Sequence, residues 1–406
     1  MNLIAKYINL IGVALLLAVA GAAAGGSEGN SFTPTAGWIT QLAEEMRTNN
    51  PALLASRARN HAASAQLGAV RTWEDPMLRA GAMSAEKMMR EQDGDILYGV
   101  EQKLPLWGKP ALARRVAQAE LSVATADADY QFQTLRRELA KAVFETALVE
   151  NTVTVGEQDL RWLEVSVQTA EGRYEAGQEK LMYVLQLQNE RAKRIEQLQN
   201  DRADLDHARL ALNRLLNRRS DSPWPVLGLP EVAAKVDYSS KLLELASRYE
   251  PKLQVMRQEI MVAQAMTEST RREKLPEVSL GAQGRNYSGS GELRQAELMV
   301  SFNLPLFNAG KYRNALRRDE AKLKAAELDT ADYELSLRQE IHQLTVKADA
   351  ARREALLYRD QVVPRAEQAR DSAQAMWESG NGMLRDLLDA RRMLLEARLM
   401  YARAVT

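Results

Sequence analysis

The sequence predicts a mainly α chain with a β-barrel contribution, in which one helix–strand–strand–long helix unit is used twice. Three observations predict it. The stretch Leu104-Pro105-Leu106-Trp107-Gly108-Lys109 closes a short alternating segment and opens a long run rich in Ala, Leu, Glu, Gln, Lys and Arg. That is a strand handing over to a very long helix. Proline gives no hydrogen bond to a strand ladder and disfavours helical geometry in the residue before it, so it suits the switch. The corner then recurs 200 residues on as Leu304-Pro305-Leu306-Phe307-Asn308-Ala309-Gly310-Lys311. Pro51 and Pro251 keep the same offset, as do Pro76 and Pro276, and Tyr174-Glu175-Ala176-Gly177 precedes Trp377-Glu378-Ser379-Gly380 by 203. Landmarks in one order at nearly one offset mark an internal duplication.

The start reads as a secretory signal: Lys6 is its one early charge, Ile8 to Ala20 is apolar, and Ala22-Ala23-Ala24 offers a small-residue cleavage site. Residues 1–24 are therefore expected to be a signal peptide, placing the mature chain outside the cytoplasm. No later run approaches the roughly 20 apolar residues of a spanning helix, so any membrane span has to use strands. Charge is balanced, 54 basic against 54 acidic residues, which gives no bulk attraction to nucleic acid. There is no cysteine, hence no disulfide, no thiolate metal site and no lipoprotein cysteine. His61, His207 and His342 are far apart in the sequence and show no metal-ligand spacing, so no metal site or cofactor is expected.

Residues 25–50 read as an N-terminal arm and a short helix from Trp38 to Arg47. Residues 51–217 form the first repeat: a helix over Ala52–Arg71, a strand pair at about 77–104 and long helices at about 109–217. Residues 218–250 form an irregular link, with Ser220-Asp221-Ser222-Pro223-Trp224-Pro225 at its start and a short helix from Ser239 to Tyr249. Residues 251–406 form the second repeat, with a strand pair at about 278–304 and long helices at about 311–403. The second pair alternates most clearly: Leu298, Val300, Phe302 and Leu304 stand on even positions, Glu297, Met299, Ser301 and Asn303 on odd ones. Strands of nine or ten residues match a tilted crossing of a bilayer. In a soluble sheet the apolar face would cover helices; in a membrane barrel it would face lipid. The pattern alone leaves both open. The long helices, from Lys109 to Tyr174 and from Lys311 to Trp377, would each reach roughly 100 Å. Their Ala-rich seams suit coiled-coil packing. Gly156 and Pro364 are expected to interrupt them.

Four strands do not close a barrel, for which about eight is the practical minimum. Two chains would enclose too narrow a lumen for so many helices. Three would supply twelve strands, so counting favours a homotrimer.

With these features the sequence resembles the outer-membrane efflux protein family, the TolC-like channel-tunnels, over nearly the whole mature chain. The corner at Leu104–Lys109, followed by Ala111-Leu112-Ala113-Arg114, looks more like the heavy-metal branch, the CzcC- and CusC-type proteins. The resemblance implies a trimeric twelve-stranded outer-membrane barrel of a Gram-negative bacterium, continued by a periplasmic helical tunnel. It also implies a periplasmic adaptor and an inner-membrane pump as partners. It makes Tyr174, Gly177, Trp377 and Gly380 the helix tips that meet the adaptor. It places Asp386 and Asp389, one helical turn apart, at the tunnel aperture, where three copies would form a cation-favouring ring. The competing reading is a solvated helix face with Arg385 and Arg391 as ion-pair partners. Gly382 departs from the family by standing where a basic residue can brace the aperture, and Tyr183 and Gln186 take the matching places in the first repeat. Trp73, Trp107 and Phe307 flank the strands as an aromatic girdle, or as ordinary corner packing. Met83, Met88 and Met89 would be soft metal ligands, or plain lipid-facing or loop methionines.

The leading function is a passive exit duct for cargo, heavy-metal cations in the branch it most resembles. Alternatives are a drug or type I secretion duct and, from another class, a periplasmic coiled-coil adaptor, which would lack duplicated spanning strand pairs. No phosphate-binding loop or nucleophile elbow supports an enzyme.

Overall fold

Prolines open several helices at the first turn, where the missing N–H would have had no partner. The computed structural model describes residues 31–83, 95–288 and 290–406. The segment expected to be a signal peptide, Met88, Met89 and Gly289 lie outside them. In the first half, α1 (Ala36–Asn49) and α2 (Pro51–Ala69) lead to the hairpin β1 (Met77–Met83) and β2 (Asp95–Lys103). Then come α3 (Lys109–Glu175) and α4 (Leu181–Leu216). After the link, α5 (Ser240–Tyr249) and α6 (Pro251–Glu273) lead to β3 (Glu277–Tyr287) and β4 (Leu293–Asn303). The second long passage is α7 (Ala309–Leu357), a π turn (Tyr358–Val362) and α8 (Val363–Glu378), and α9 (Leu384–Val405) returns from it. At 67 residues, α3 spans about 100 Å. Among the described residues no helix is long and apolar enough to cross a membrane.

The two expected interruptions differ. Pro364 is accommodated by the π turn before it: Val363 N–H donates to Tyr358 O, and Pro364 falls in the first turn of α8. Gly156 does not break α3, which runs through it. Its missing side chain instead leaves room for α4, because a Cβ there would collide with the Arg194 guanidinium and lie 3.2 Å from Leu198. The glycine is explained by close approach of a neighbour, the second reason for glycine in a regular element.

Long α3 packs along α2, α4 and α6; α6 packs along α7, and α9 along α7 and α8. One core lies where α1 meets the middle of α3 and the end of α4, built on Met46, Leu139, Val143, Leu212 and Leu216 with Trp224 and Leu227 of the link. The arm is tied to that link: Phe32 N–H donates to Val226 O at 2.7 Å and Gly228 N–H to Phe32 O at 3.0 Å. Arg218 clamps Glu45 through two 2.7 Å hydrogen bonds. Lower on the α3–α4 pair, burial pushes the Glu150 carboxyl up, opposed by Arg209 at 3.1 Å.

Candidate functional site

The four strands form one antiparallel sheet in the order β1-β2-β3-β4, so the two hairpins join through β2 and β3. Directly opposed residues share a face. Leu78 opposes Val100, Val100 opposes Ala282, and Ala282 opposes Leu298. Leu280–Val300 and Val278–Phe302 continue that face. The apolar residues are exposed on it, Leu298 at 88% and Leu78 at 81%. The other face carries Arg79 paired with Glu101, Arg285 with Asp95 at 3.2 Å, and Gln283 bonded to Glu297 at 2.6 Å. The alternation read in β3 and β4 therefore extends across all four strands. β4 begins at Leu293, and a bulge shifts the register between Arg285 and Asn286 so that pairing continues to that residue. Among the described residues β1 and β4 each have only one strand neighbour, leaving two open edges.

Trp73, Trp107 and Phe307 all stand exposed near the strand ends, Phe307 at 98%. Trp107 is held there by Nε1–H donating to Pro276 O at 2.7 Å, which ties the first corner to the second repeat. Met83 lies on the charged face, and its sulfur accepts from Arg285 at 3.8 Å. The three histidines sit on α2, α4 and α7, and among the described residues no cluster of His, Cys, Asp or Glu is arranged to hold a metal.

At the opposite ends of the helices the two turns have the same construction. Gly177 N–H donates to Tyr174 O and Gln178 N–H to Arg173 O; Gly380 N–H donates to Trp377 O and Asn381 N–H to Met376 O. Gly177 has φ +73° and Gly380 φ +79°, the left-handed conformation that ends a helix cheaply only with glycine. The turns touch, since Arg173 Nη1 donates to Trp377 O at 2.9 Å. Tyr174 is exposed, but the Trp377 side chain is only 3% exposed. Its indole packs with Leu163, Val184, Leu384 and Leu387 in a core joining both turns, so it supports the surface from beneath. Gly382 has no room for a longer residue: a Cβ would lie 2.9 Å from Met376 Cβ and 3.0 Å from Trp377 N.

Asp386 and Asp389 project from the face of α9 opposite buried Leu384, Leu387 and Leu388. Asp389 has Arg385 and Arg392 each at 3.7 Å; among the described residues Asp386 has no ion pair. Arg391, expected as a partner, is instead buried. It grips Asp159 of α3 through bonds of 2.7 and 2.6 Å, above the ring of Trp162. Arg194 of α4 approaches the same carboxylate at 3.3 Å. This three-helix charge cluster was missed in the sequence. Its one signal is a charged residue on the apolar stripe that continues with Leu163, Val167 and Ala170.

Comparison with known proteins agrees with this geometry. The model of the outer membrane efflux protein family matches residues 42–218 and 242–406. The chain is 26% identical over 296 residues to the cobalt-zinc-cadmium resistance protein CzcC of Cupriavidus metallidurans, covering 71% of this chain and 66% of that relative. The match thus spans just under two thirds of the relative's length. Among solved structures, the outer membrane protein VceC of Vibrio cholerae has a TM-score of 0.75 at 20% identity, covering 91% of this chain and 95% of that one. The Campylobacter jejuni CmeC outer membrane channel gives 0.74 at 14%, covering 96% and 90%. CusC gives 0.68 at 18%, covering 90% and 88%. The chain belongs to the outer membrane efflux protein family.

Proposed function

We propose that three copies of this chain form a passive exit duct: a twelve-stranded barrel in the outer membrane continued by a periplasmic helical tunnel. The observation that carries this reading is the four-stranded sheet, apolar on one face, charged on the other and open at both edges. Closing those edges against sister chains satisfies the ladder and gives the apolar face to lipid. Arg79, Glu101 and Glu297 then line water. Residues 51–217 and 251–406 act as the two repeats, with 218–250 as the link around the middle, and Trp73, Trp107 and Phe307 stand at the membrane boundary.

The cargo is heavy-metal cations, delivered by an inner-membrane pump through a periplasmic adaptor. Similarity to CzcC supports that cargo. The test is complementation of a strain deleted for this chain: tolerance to cobalt, zinc and cadmium is expected to return. Restored tolerance to hydrophobic drugs without metal tolerance would assign the drug branch instead.

Tyr174, Gly177 and Gly380 present the adaptor-docking surface, with Trp377 bracing it. A valine at Gly380 is β-branched at positive φ, a conformation that costs about 1–2 kcal/mol per residue. Gly380→Val is expected to abolish pump-dependent tolerance while assembly on native gels stays normal. Full tolerance at normal abundance would remove docking from this turn.

Asp386 and Asp389 form the aperture ring. Six carboxylates from three chains favour cations. Asp386→Ala with Asp389→Ala is expected to lower cation selectivity, read as a shifted reversal potential in planar bilayers under a salt gradient. An unchanged potential would exclude the ring.

A further inference from the structure

The duplication supplies an internal comparison at the helix-side end of the sheet. In the first repeat a cavity of about 230 Å³ is lined by Arg71, Glu74, Lys103, Lys109 and Ala113, among others. Its charges are matched: Lys103 lies 2.9 Å from Glu74 and 2.8 Å from Glu277, Lys109 lies 3.4 Å from Glu277, and Arg71 pairs with Asp75. The corresponding place in the second repeat is a cavity of about 320 Å³ between the end of α6 and the start of α7. Here Lys274 replaces Glu74, Leu275 replaces Asp75 and Arg313 replaces Ala113.

The result is a cavity lined by Arg271, Lys274 and Arg313 with no acid in its wall among the described residues, over Ala309, Tyr312 and Leu316. Arg271 has only Glu320 at 3.8 Å, and among the described residues Lys274 and Arg313 have no ion pair. Asp319, a buried acid bonded to Thr270 of the cavity wall, is already committed. It takes Arg318 at 2.7 Å and the Thr270 hydroxyl at 2.8 Å, and Arg318 holds its carboxyl below the usual range. Lys274 stands three residues before β3, and Ala309 two residues after exposed Phe307. Unmatched cations with an apolar floor, next to the end of a lipid-facing sheet, suit an amphiphile with an anionic head.

We infer that this cavity binds the phosphate of an anionic phospholipid in the leaflet nearest the helices. The inference rests on the outer-membrane reading above. Phosphate accepts from lysine and arginine together, while the glycerol and upper acyl carbons lie against Tyr312 and Leu316. Each cation near an anionic bilayer surface contributes substantially to such binding.

The test uses the full-length protein purified as its native assembly and reconstituted into phosphatidylcholine vesicles with or without phosphatidylglycerol. Lipid retained on gentle extraction is counted by native mass spectrometry. Phosphatidylglycerol should be retained in preference to phosphatidylcholine. Lys274→Glu with Arg313→Ala installs the residues of the first repeat and should weaken that retention by about tenfold or more. Arg115→Ala, which breaks the pair between Arg115 of the first repeat and Glu268 of the second, removes a cation that does not line the cavity and should leave retention unchanged. Equal retention of the two lipids, or undiminished phosphatidylglycerol on the double variant, would overturn the site. Displacement of the lipid by millimolar inorganic phosphate would make it a free-anion site and overturn the lipid assignment. Failure to enter either vesicle would instead strike the outer-membrane reading, which separates the two.

Discussion

Leu298→Arg is expected to eliminate assembled, membrane-embedded protein, whereas Ser301→Arg is expected to assemble. Leu298 is the middle residue of β4, opposes Ala282 and projects from the apolar face. An arginine facing lipid at the midplane of a barrel costs about 2–4 kcal/mol. In a closed trimer that cost falls three times in one ring. Ser301 opposes Ser279 on the charged face, where a guanidinium would meet water. The measurement is heat-modifiable assembly in isolated outer membranes, compared at matched expression. Equal assembly of the two variants would mean that the apolar face does not meet lipid.

Asp159→Leu is the second large effect expected, and it acts far from the membrane. The Asp159 carboxylate receives two hydrogen bonds from Arg391 and the approach of Arg194, and all three side chains are nearly buried. Removing it takes the short contacts from two guanidinium groups and leaves them more distant carboxylates, Glu190 at 3.9 Å from Arg391 and Asp201 at 3.9 Å from Arg194. Breaking a buried pair by deleting one partner costs about 3–5 kcal/mol, most of it from the charge left behind. Loss of cooperative thermal unfolding, or a midpoint many degrees lower, is the expected result by circular dichroism in detergent. Arg391→Leu should cost less, because Asp159 keeps Arg194. A larger loss from Arg391→Leu than from Asp159→Leu would contradict this account of the cluster. The cluster joins α3 and α4 of the first half to α9 of the second, so its disruption should loosen the junction of the two hairpins.

Much of this fold was legible because its determinants are local. Proline corners, alternating strands and glycine-ended helices each leave a periodic or positional mark in the sequence, and the 200-residue offset doubled every mark. Partnership across long separations was not legible. Arg391 and Asp159 are 232 residues apart, and the sequence offers Arg391 the nearer acids of its own helix instead. The two turns show a related limit. Tyr174 and Trp377 occupy equivalent sequence positions, yet one ring is exposed and the other is packed against the neighbouring turn. A local motif specifies the turn, but only the second hairpin's contact with the first decides which ring is covered. In the sequence Gly156 signals only glycine's conformational freedom; the approach of Arg194 that explains it belongs to tertiary packing.

Closure of the open edges at β1 and β4 by sister chains is directly measurable, because the chain has no native cysteine. A panel of double variants would place one cysteine on β1, at Arg79, Ala80 or Gly81, and one on β4, at Gln295, Ala296 or Glu297. Oxidation in intact outer membranes, followed by a denaturing gel, counts the chains that are joined. At the pair in register, a closed trimer gives a cross-linked ladder that stops at three chains. A product that never exceeds one chain across the whole panel, or a ladder that continues past three, would contradict it.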